Sequence, residues 1–474
     1  MANKKGSQLT DASVDLDGRR HGDRACILKP ILHNSPEQAQ RTTRNTSLLL
    51  EEAVGLAEAI ALDVIAADAV NLAHPTPAML FGKGLVQEYA QFVKDEEIAL
   101  VIVDHPLTPI QQRNLEREWK CKVIDRTGLI LEIFGARART KEGQLQVELA
   151  ALSYQKSRLV RSWTHLERQR GGFGFLGGPG ESQLEIDRRL ITNRIAKLKQ
   201  DIEQVRRTRG LQREARQKAE HPTIVLVGYT NAGKSTLFNR LTGADVLAQD
   251  MLFATLDTSM RGVKLPSGRQ VIFSDTVGFI SDLPTHLVDA FCATLEEVQL
   301  ADIILHVRDV THPEARQQKE AVESILSDLG IEVDDVRLVE VLNKADLFDE
   351  DERVHLRNYA ARQSKDSREA LHDLEGLRPQ SRGGVVAVSA LTGEGIKDLL
   401  CLLDDRLAAQ SKVYQIEMQL SAGAPLAWLY GHGNMLEKID KRTKIVVKVA
   451  LDDADFGRFM SKFGKDVHVK DQDG

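Results

Sequence analysis

The stretch IVLVGYTNAGKSTLFNRL, residues 224–241, decides the fold of this chain. Its four leading apolar residues predict a buried strand, and the next eight match the pattern G-x-x-x-x-G-K-S. A loop of this kind between a strand and a helix wraps nucleotide phosphates, because its glycines let backbone N–H groups face the anion. The predicted phosphate-binding loop (P-loop) consists of Gly228, Tyr229, Thr230, Asn231, Ala232, Gly233, Lys234 and Ser235.

The segment VIFSDTVGF, residues 271–279, supplies a second part of the same site. Asp275 ends an apolar strand, where its carboxylate can hold Mg²⁺ together with the Ser235 hydroxyl. Lys234 neutralises the β- and γ-phosphates, and the amide of Gly278 is placed to sense the γ-phosphate. We therefore expect nucleotide contacts from Asp275, Thr276, Val277 and Gly278.

Two further segments predict recognition of a guanine base. Asn343, Lys344, Ala345 and Asp346 end an apolar strand. An aspartate there can accept hydrogen bonds from N1–H and the exocyclic amine of guanine, and adenine lacks that pair of donors. Charge-assisted hydrogen bonds are worth about 1.5–3 kcal/mol each, enough to select GTP over ATP. The backbone of Ser389, Ala390 and Leu391 can meet guanine O6.

A switch segment completes the set of motifs. It contains Phe253, Ala254, Thr255, Leu256 and Asp257. Thr255 is the predicted threonine ligand of Mg²⁺, beside Ser235 and Asp275. Five motifs in order, each on the expected element, predict a domain that binds GTP and GDP with Mg²⁺ and hydrolyses GTP.

Two positions refine the expected mechanism. Phe279 stands where many GTPases carry a glutamine that orients the attacking water, and phenylalanine cannot do this. Asn231 is suited to coordinate a monovalent cation, K⁺, beside the phosphates; a side chain that only caps the loop is the alternative. We expect slow intrinsic hydrolysis that depends on four residues, Lys234, Asn231, Gly278 and Thr255.

A glycine-rich stretch, GFGFLG at residues 172–177, matches G-x-G-x-x-G but follows a helix instead of a strand, so a dinucleotide loop is excluded. Leucines, isoleucines and a tryptophan recur at helical spacing on both sides of it, which predicts an antiparallel helical hairpin with arms on the order of 35–40 Å. Residues 161–220 hold 14 Lys and Arg against 8 Asp and Glu, a charge of +6. A basic rod with Phe173 and Phe175 at its tip suits a polyanionic RNA cavity; a solvated helix with a long turn is the alternative.

Composition limits the remaining classes. The 474 residues carry a net charge of only -6, so any nucleic-acid surface is local. The four cysteines have no C-x-x-C spacing, which argues against zinc and a disulfide framework. No apolar run reaches the roughly 18 residues needed to span a bilayer, and the first residues lack an apolar signal core. These features predict a cytoplasmic protein.

The predicted fold is α/β, with a mostly parallel P-loop GTPase domain at its centre. The expected segments are a disordered 1–22, an N-terminal α/β subdomain at 23–140, the hairpin at 141–215, the GTPase domain at 221–411 and a small α+β domain at 413–474. We expect the polar stretch 349–384 to be exposed and partly disordered. In the C-terminal domain, Trp428 and Tyr430 are predicted core residues.

The whole pattern resembles the HflX family of GTPases. The resemblance runs from about residue 25 to the C-terminus and rests on long strings at residues 125–152 and 158–189, on the switch at 253–257, and on DTVGF and NKAD. It implies binding to the large ribosomal subunit, with the glycine-rich tip directed at peptidyl-transferase RNA, and a role in splitting or rescuing stalled ribosomes. This chain reads LDTSMR after Thr255 where the family usually has LDPTTR.

The predicted partners are ribosomal RNA and ribosomal proteins of the large subunit. We expect a monomer without stable membrane insertion and leave peripheral membrane association open. Two alternatives remain at this point: a GTPase that assists an RNA-modifying enzyme, and a GTP-binding regulator of a membrane protease.

Overall fold

The computed structural model describes residues 23–32, 46–72, 74–169, 179–218, 221–244, 252–253, 255, 259–281, 297–372, 384–409, 412–441, 444–451, 453–464 and 466–471. These residues form two compact units. The first contains the described residues up to 206, together with 252, 253 and 255. The second contains the described residues of 207–244, 259–281 and 297–471.

The first unit is built on a four-stranded parallel sheet in the order β2-β1-β3-β4. Its strands and helices follow in chain order: β1 Arg24–Leu32, α1 Thr46–Glu58, β2 Asp63–Leu72, α2 Lys83–Asp95, β3 Leu100–Val103, α3 Pro109–Trp119, β4 Lys122–Asp125 and α4 Arg126–Arg137. The core under α2 and α3 includes Phe81, Leu115 and Trp119. The alternation of strands and helices predicted for this region is therefore present, with one strand, β2, that the sequence did not suggest.

Two long helices follow, α5 Lys141–Gln169 and α6 Pro179–Lys218. Near their base, Leu145 of α5 packs with Leu198 and Ile202 of α6, so the leucine and isoleucine spacing does mark the facing surfaces there. Residues 170–178, which include Phe173 and Phe175, lie outside the described residues, and the proposed role of the tip stays a prediction.

A buried carboxylate fixes the middle of α5 to the sheet. Asp125, 2% exposed, caps α4 by accepting from the Gly128 amide at 2.8 Å. The Tyr154 hydroxyl donates to Asp125 Oδ1 at 2.6 Å, and Arg158 Nη1 lies 3.1 Å from Oδ2. Arg158 also bonds Gln112 of α3. Two residues one turn apart on α5 are thus bound to the end of β4.

The second unit contains a six-stranded sheet in the order β10-β9-β8-β5-β7-β6, parallel except for β6. Its elements are β5 Thr223–Val227, α7 Lys234–Thr242, β6 Ser259–Lys264, β7 Gln270–Asp275, β8 Ile303–Asp309, α8 Ala315–Asp328, β9 Leu338–Asn343, α9 Glu350–His372, β10 Val385–Ala387 and α10 Ile396–Ala409. The parallel order brings the carboxyl ends of β5, β7, β8 and β9 to one edge, where the predicted motifs begin.

The same unit ends in an antiparallel four-stranded sheet, order β12-β13-β11-β14. Its elements are β11 Lys412–Gln419, α11 Gly423–His432, β12 Asn434–Asp440, β13 Lys444–Leu451, α12 Asp453–Phe463 and β14 Val467–Asp471. Trp428 packs against Phe459 with ring centroids 5.4 Å apart, but Tyr430 is 58% exposed. The core prediction was therefore wrong for Tyr430, because residues two apart on a helix face different directions.

The polar stretch 349–384 is largely exposed over residues 350–362, as predicted, and contains a helix that the sequence did not indicate. The partial disorder expected for it stays a prediction. Residues 350–372 form the helix α9, which begins after Asp349 accepts from the Glu352 amide at 2.9 Å. Ala360 of this helix is buried against β9 and β10 residues.

Among the described residues, no helix is both long and apolar enough to cross a membrane.

Candidate functional site

The P-loop runs from the end of β5 to the start of α7, and two of its glycines are required by close contacts. A Cβ on Gly228 would lie 2.2 Å from the carbonyl oxygen of Val307, and a Cβ on Gly233 would lie 2.3 Å from Asn343 Nδ2. Gly233 also has a φ of 88°, a left-handed value that other residues rarely adopt. The loop therefore lies directly against β8 and the end of β9.

Lys234 occupies the first position of α7 and is only 6% exposed. Its Nζ donates to the carbonyl oxygen of Tyr229 at 2.7 Å, inside the loop. Burial lowers the pKa of Lys234 to about 8, and the charge of Asp275 partly opposes this shift. A phosphate beside this ammonium group would stabilise its charged form. The loop therefore contains a buried cation that an anionic ligand would stabilise.

Ser235 and Asp275 lie side by side, as the sequence predicts for a magnesium site. The Ser235 hydroxyl donates to Asp275 Oδ2 at 2.7 Å, and Asp275 is fully buried at the end of β7. No group of three or more His, Cys, Asp or Glu side chains that could hold a metal ion occurs in the described part of the chain. One hydroxyl and one carboxylate fit Mg²⁺, which takes few protein ligands and completes its shell with phosphate oxygens and water.

The segment after Asp275 is bound to the P-loop by backbone hydrogen bonds. The Phe279 amide donates to the Gly228 carbonyl at 3.0 Å, and the Thr230 amide donates to the Phe279 carbonyl at 2.7 Å. The Tyr229 hydroxyl accepts from the Ser281 amide at 3.0 Å and lies 2.9 Å from Ser281 Oγ. Phe279 is buried, so its ring packs inward. Ser281 was not among the predicted site residues.

Asn343 connects three of the predicted motifs. Its Nδ2 donates to the Ala232 carbonyl of the P-loop at 2.8 Å, and its Oδ1 accepts from the Ala390 amide at 3.0 Å. It is 1% exposed, so both groups are satisfied inside the protein. The asparagine of the NKAD motif therefore positions the two neighbouring loops.

Asp346 and Lys344 stand at the same edge of the sheet. The Ser389 hydroxyl donates to Asp346 Oδ1 at 2.6 Å, which leaves the second carboxylate oxygen for a ligand. Lys344, with a left-handed φ of 65°, pairs with Asp309 at 2.8 Å. Burial raises the pKa of Asp309, but hydrogen bonds from Lys344 and Thr311 outweigh it and the net shift is downward.

Arg240 is a further residue of this region that the sequence did not reveal. Its Nε donates to the Ala390 carbonyl at 3.1 Å, and its Nη2 bonds the Leu391 carbonyl. The guanidinium thus fixes the loop of the second guanine-recognition segment, residues 389–391, from the side of α7. Leu391 itself is 67% exposed.

The switch segment is described at only two of its predicted residues. Phe253 belongs to the first unit, is 2% exposed, and lies edge-on to Phe134 with ring centroids 4.8 Å apart. Thr255 belongs to the same unit and is 9% exposed. Ala254, Leu256 and Asp257 lie outside the described residues. The aromatic ring at the start of the segment is therefore a core side chain.

Comparison with known proteins identifies the family. Family models match along the chain: GTP-binding GTPase N-terminal at residues 48–135, GTP-binding GTPase Middle Region at 137–216, 50S ribosome-binding GTPase at 223–344, and HflX C-terminal domain at 376–473. A "GTPase HflX" of Magnetococcus marinus is 47% identical over 94% of this chain and 96% of its own length. The chain belongs to the HflX family of GTPases. It is a GTP-binding enzyme that hydrolyses GTP.

A second relative agrees with the HflX assignment. The "GTPase HflX" of Escherichia coli is 44% identical over 74% of this chain and 76% of its own length. Among solved structures, a GTP-binding protein from Sulfolobus solfataricus in complex with GDP shares 24% identity, with a TM-score of 0.42, over 81% of this chain and 98% of that one. The predicted recognition, fold class and enzyme activity are confirmed.

Proposed function

We propose that this HflX-family protein is a GTP-hydrolysing switch that binds the large (50S) ribosomal subunit through its helical hairpin. Its role would lie in the splitting or rescue of stalled ribosomes or in ribosome biogenesis, as a monomer in the cytoplasm. The matched description "50S ribosome-binding GTPase" supports the partner.

The charge of α6 carries the proposal. Every charged side chain between residues 188 and 200 is basic, and all five are exposed: Arg188, Arg189, Arg194, Lys197 and Lys199. Within the described residues, Arg194 pairs in part with Glu148 of α5 at 2.7 Å. An exposed basic face on a helix of 40 residues, about 60 Å long, offers phosphate contacts along much of its length.

Co-sedimentation with purified large subunits tests this directly. The variant Arg188→Glu/Arg189→Glu should lose at least about tenfold in affinity, and the loss should shrink at high salt. The matched control, Arg316→Glu/Arg362→Glu, reverses two exposed arginines outside the hairpin and should bind like the wild type. Equal losses in both variants, or equal binding with GDP and with a non-hydrolysable GTP analogue, would contradict the proposal.

We also propose the roles of the nucleotide-site residues. Lys234 and the Gly278 amide bind the terminal phosphates, and Asp346 reads the guanine base. Ser235 and Asp275 hold Mg²⁺, which supplies charge neutralisation between the β- and γ-phosphates when bound. The role of Thr255 as a third ligand stays a prediction. Asn231, exposed and with a left-handed φ of 59°, holds K⁺. Turnover that is unchanged when K⁺ is replaced by Na⁺ would remove the K⁺ role and leave the others standing.

A further inference from the structure

Thr230 is a P-loop residue whose side-chain hydroxyl has no hydrogen-bond partner among the residues that the structure describes. The residue is only 5% exposed, and its Oγ1 makes no hydrogen bond within the described residues. Buried hydroxyl groups in proteins are nearly always hydrogen-bonded, and an exception at a ligand site calls for an explanation. A bound group that supplies the missing acceptor is one such explanation.

The surroundings of Thr230 show which part of the nucleotide lies closest. A Cβ placed on Gly278 would lie 2.9 Å from Thr230 Cγ2 and 3.0 Å from Lys234 Nζ. Thr230, Lys234 and Gly278 therefore border one small volume. The lysine of a P-loop contacts the β- and γ-phosphates, so this volume belongs to the terminal end of the triphosphate.

The backbone holds Thr230 in place without help from its hydroxyl. Its amide donates to the Phe279 carbonyl at 2.7 Å, and the preceding residue, Tyr229, is tied to Ser281 by its own hydroxyl. The methyl group of Thr230 already packs against Gly278. The backbone hydrogen bond and the methyl contact therefore hold Thr230 in place, and the hydroxyl is available to bind a ligand.

We propose that the Thr230 hydroxyl donates a hydrogen bond to an oxygen of the γ-phosphate of bound GTP. GDP has no γ-phosphate, so this side chain separates the triphosphate from the diphosphate. It also supplies a polar group near the reacting phosphate, where Phe279 offers none. The inference rests on the nucleotide site proposed above and adds to it one specific γ-phosphate ligand.

The variant Thr230→Val tests the hydroxyl alone, because valine keeps the shape and the methyl packing. Affinity for a non-hydrolysable GTP analogue should fall about tenfold, which corresponds to about 1.4 kcal/mol, while affinity for GDP stays within about twofold. GTP turnover should fall about tenfold or more. Thr230→Ser keeps the hydroxyl and should remain within about threefold of the wild type for both nucleotides and for turnover.

Three results would overturn the inference: an unchanged ratio of analogue to GDP affinity in Thr230→Val, an equal loss of both nucleotides, or equal behaviour of Thr230→Ser and Thr230→Ala. If Thr230→Val fails to fold, the comparison of Thr230→Ser with Thr230→Ala takes its place. The serine variant should then bind the GTP analogue about tenfold more tightly than the alanine variant. Lys234→Ala separates the two levels of failure. If Lys234→Ala loses nucleotide binding while Thr230→Val binds like the wild type, only the inference about Thr230 is wrong. If Lys234→Ala still binds nucleotide fully, the proposed nucleotide site itself is wrong.

Discussion

The molecule contains two parallel sheets, and charged groups stand at the carboxyl edge of each. In the first unit these groups satisfy one another. Asp104, 2% exposed after β3, binds Lys29 and Arg126 at 2.7 Å each, and Arg126 also binds Glu52 at 2.6 Å. Burial raises the pKa of Asp104, but its two cations outweigh this and lower it.

The corresponding edge of the second unit is built differently. Lys234 binds a loop carbonyl instead of a carboxylate, and the Thr230 hydroxyl has no partner within the described residues. The same topology therefore supports two uses. An edge whose carboxylates meet internal cations holds the fold together, whereas an edge that keeps the buried Lys234 on a neutral carbonyl, beside the Lys344–Asp309 pair, is prepared for an anionic ligand.

Lys234→Ala gives the largest expected effect and tests the second edge. GTP turnover should fall about a thousandfold, because the loop loses the cation that offsets phosphate charge. The free energy of unfolding without nucleotide should not decrease, since burial of this ammonium is unfavourable. Phosphate-release assays and denaturant titration measure both. The exposed Lys397→Ala is the control, and a Lys234→Ala protein that is active but unstable would break the comparison.

Asp125→Ala tests the edge of the first sheet and should lower stability without weakening nucleotide binding. The change removes the acceptor of the Tyr154 hydroxyl and of Arg158, so the free energy of unfolding should fall by about 3 kcal/mol. GDP affinity should stay within about twofold. Denaturant titration followed by nucleotide binding measures this, with the exposed Glu118→Ala as control. A stable Asp125→Ala protein would show that this carboxylate is not a structural group.

Asp346→Ala tests whether the edge of the second sheet binds the guanine base. Affinity for GTP should fall about thirtyfold through the loss of charge-assisted hydrogen bonds worth about 2 kcal/mol. Affinity for ATP should change little, so the selectivity between the two nucleotides narrows. Competition binding with both nucleotides provides the measurement. Asp351→Ala, which removes an exposed carboxylate five residues further on, should retain full selectivity.

His306 on β8 should have the smallest effect near neutral pH, and its expected signature is a pH dependence of stability below pH 6.5. Burial lowers its pKa to about 3, although the charge of Glu340 opposes the shift. The unfolded chain takes up this proton near pH 6.5 and the folded protein does not, so stability falls as pH drops below 6.5 toward 3. The contribution is about 1.4 kcal/mol per pH unit.

The variant His306→Gln should reduce that slope. Unfolding titrations at several pH values compare it with the exposed His468→Gln, which should follow the wild type. Identical slopes in all three proteins would show that His306 is not a buried neutral group in the folded protein.

The nucleotide site could be predicted from the sequence because its chemistry is local. A strand, a glycine-rich loop and a helix follow one another within 18 residues, and the backbone geometry of such a loop fixes where Lys234 and Ser235 stand. Arg240, Asp309 and Ser281 were missed because each acts on a loop distant in sequence. Their partners become visible only when the parallel order of the strands is known.

Two elements of the fold were not predicted from the sequence, and the reason is different. The strand β2, DVIAADAVNL, is interrupted by Asp68 and Asn71, residues depleted in strands. The helix α9 is so polar that no apolar period marks it, and among its described side chains Ala360 and Leu356 are the ones that pack inward. Periodicity reveals an element when it buries a continuous face, and neither of these does.

The attachment of α5 at Asp125 has a mechanical consequence. The 29 residues of α5 extend about 43 Å, and the helix is tied to the sheet through Tyr154 and Arg158 near its middle. About 16 Å of helix, residues 159–169, lies beyond these ties, so a tilt of about 10° at the carboxylate would displace the far end by roughly 3 Å. A small repacking around one buried acid is thereby converted into a movement comparable to the length of a hydrogen bond.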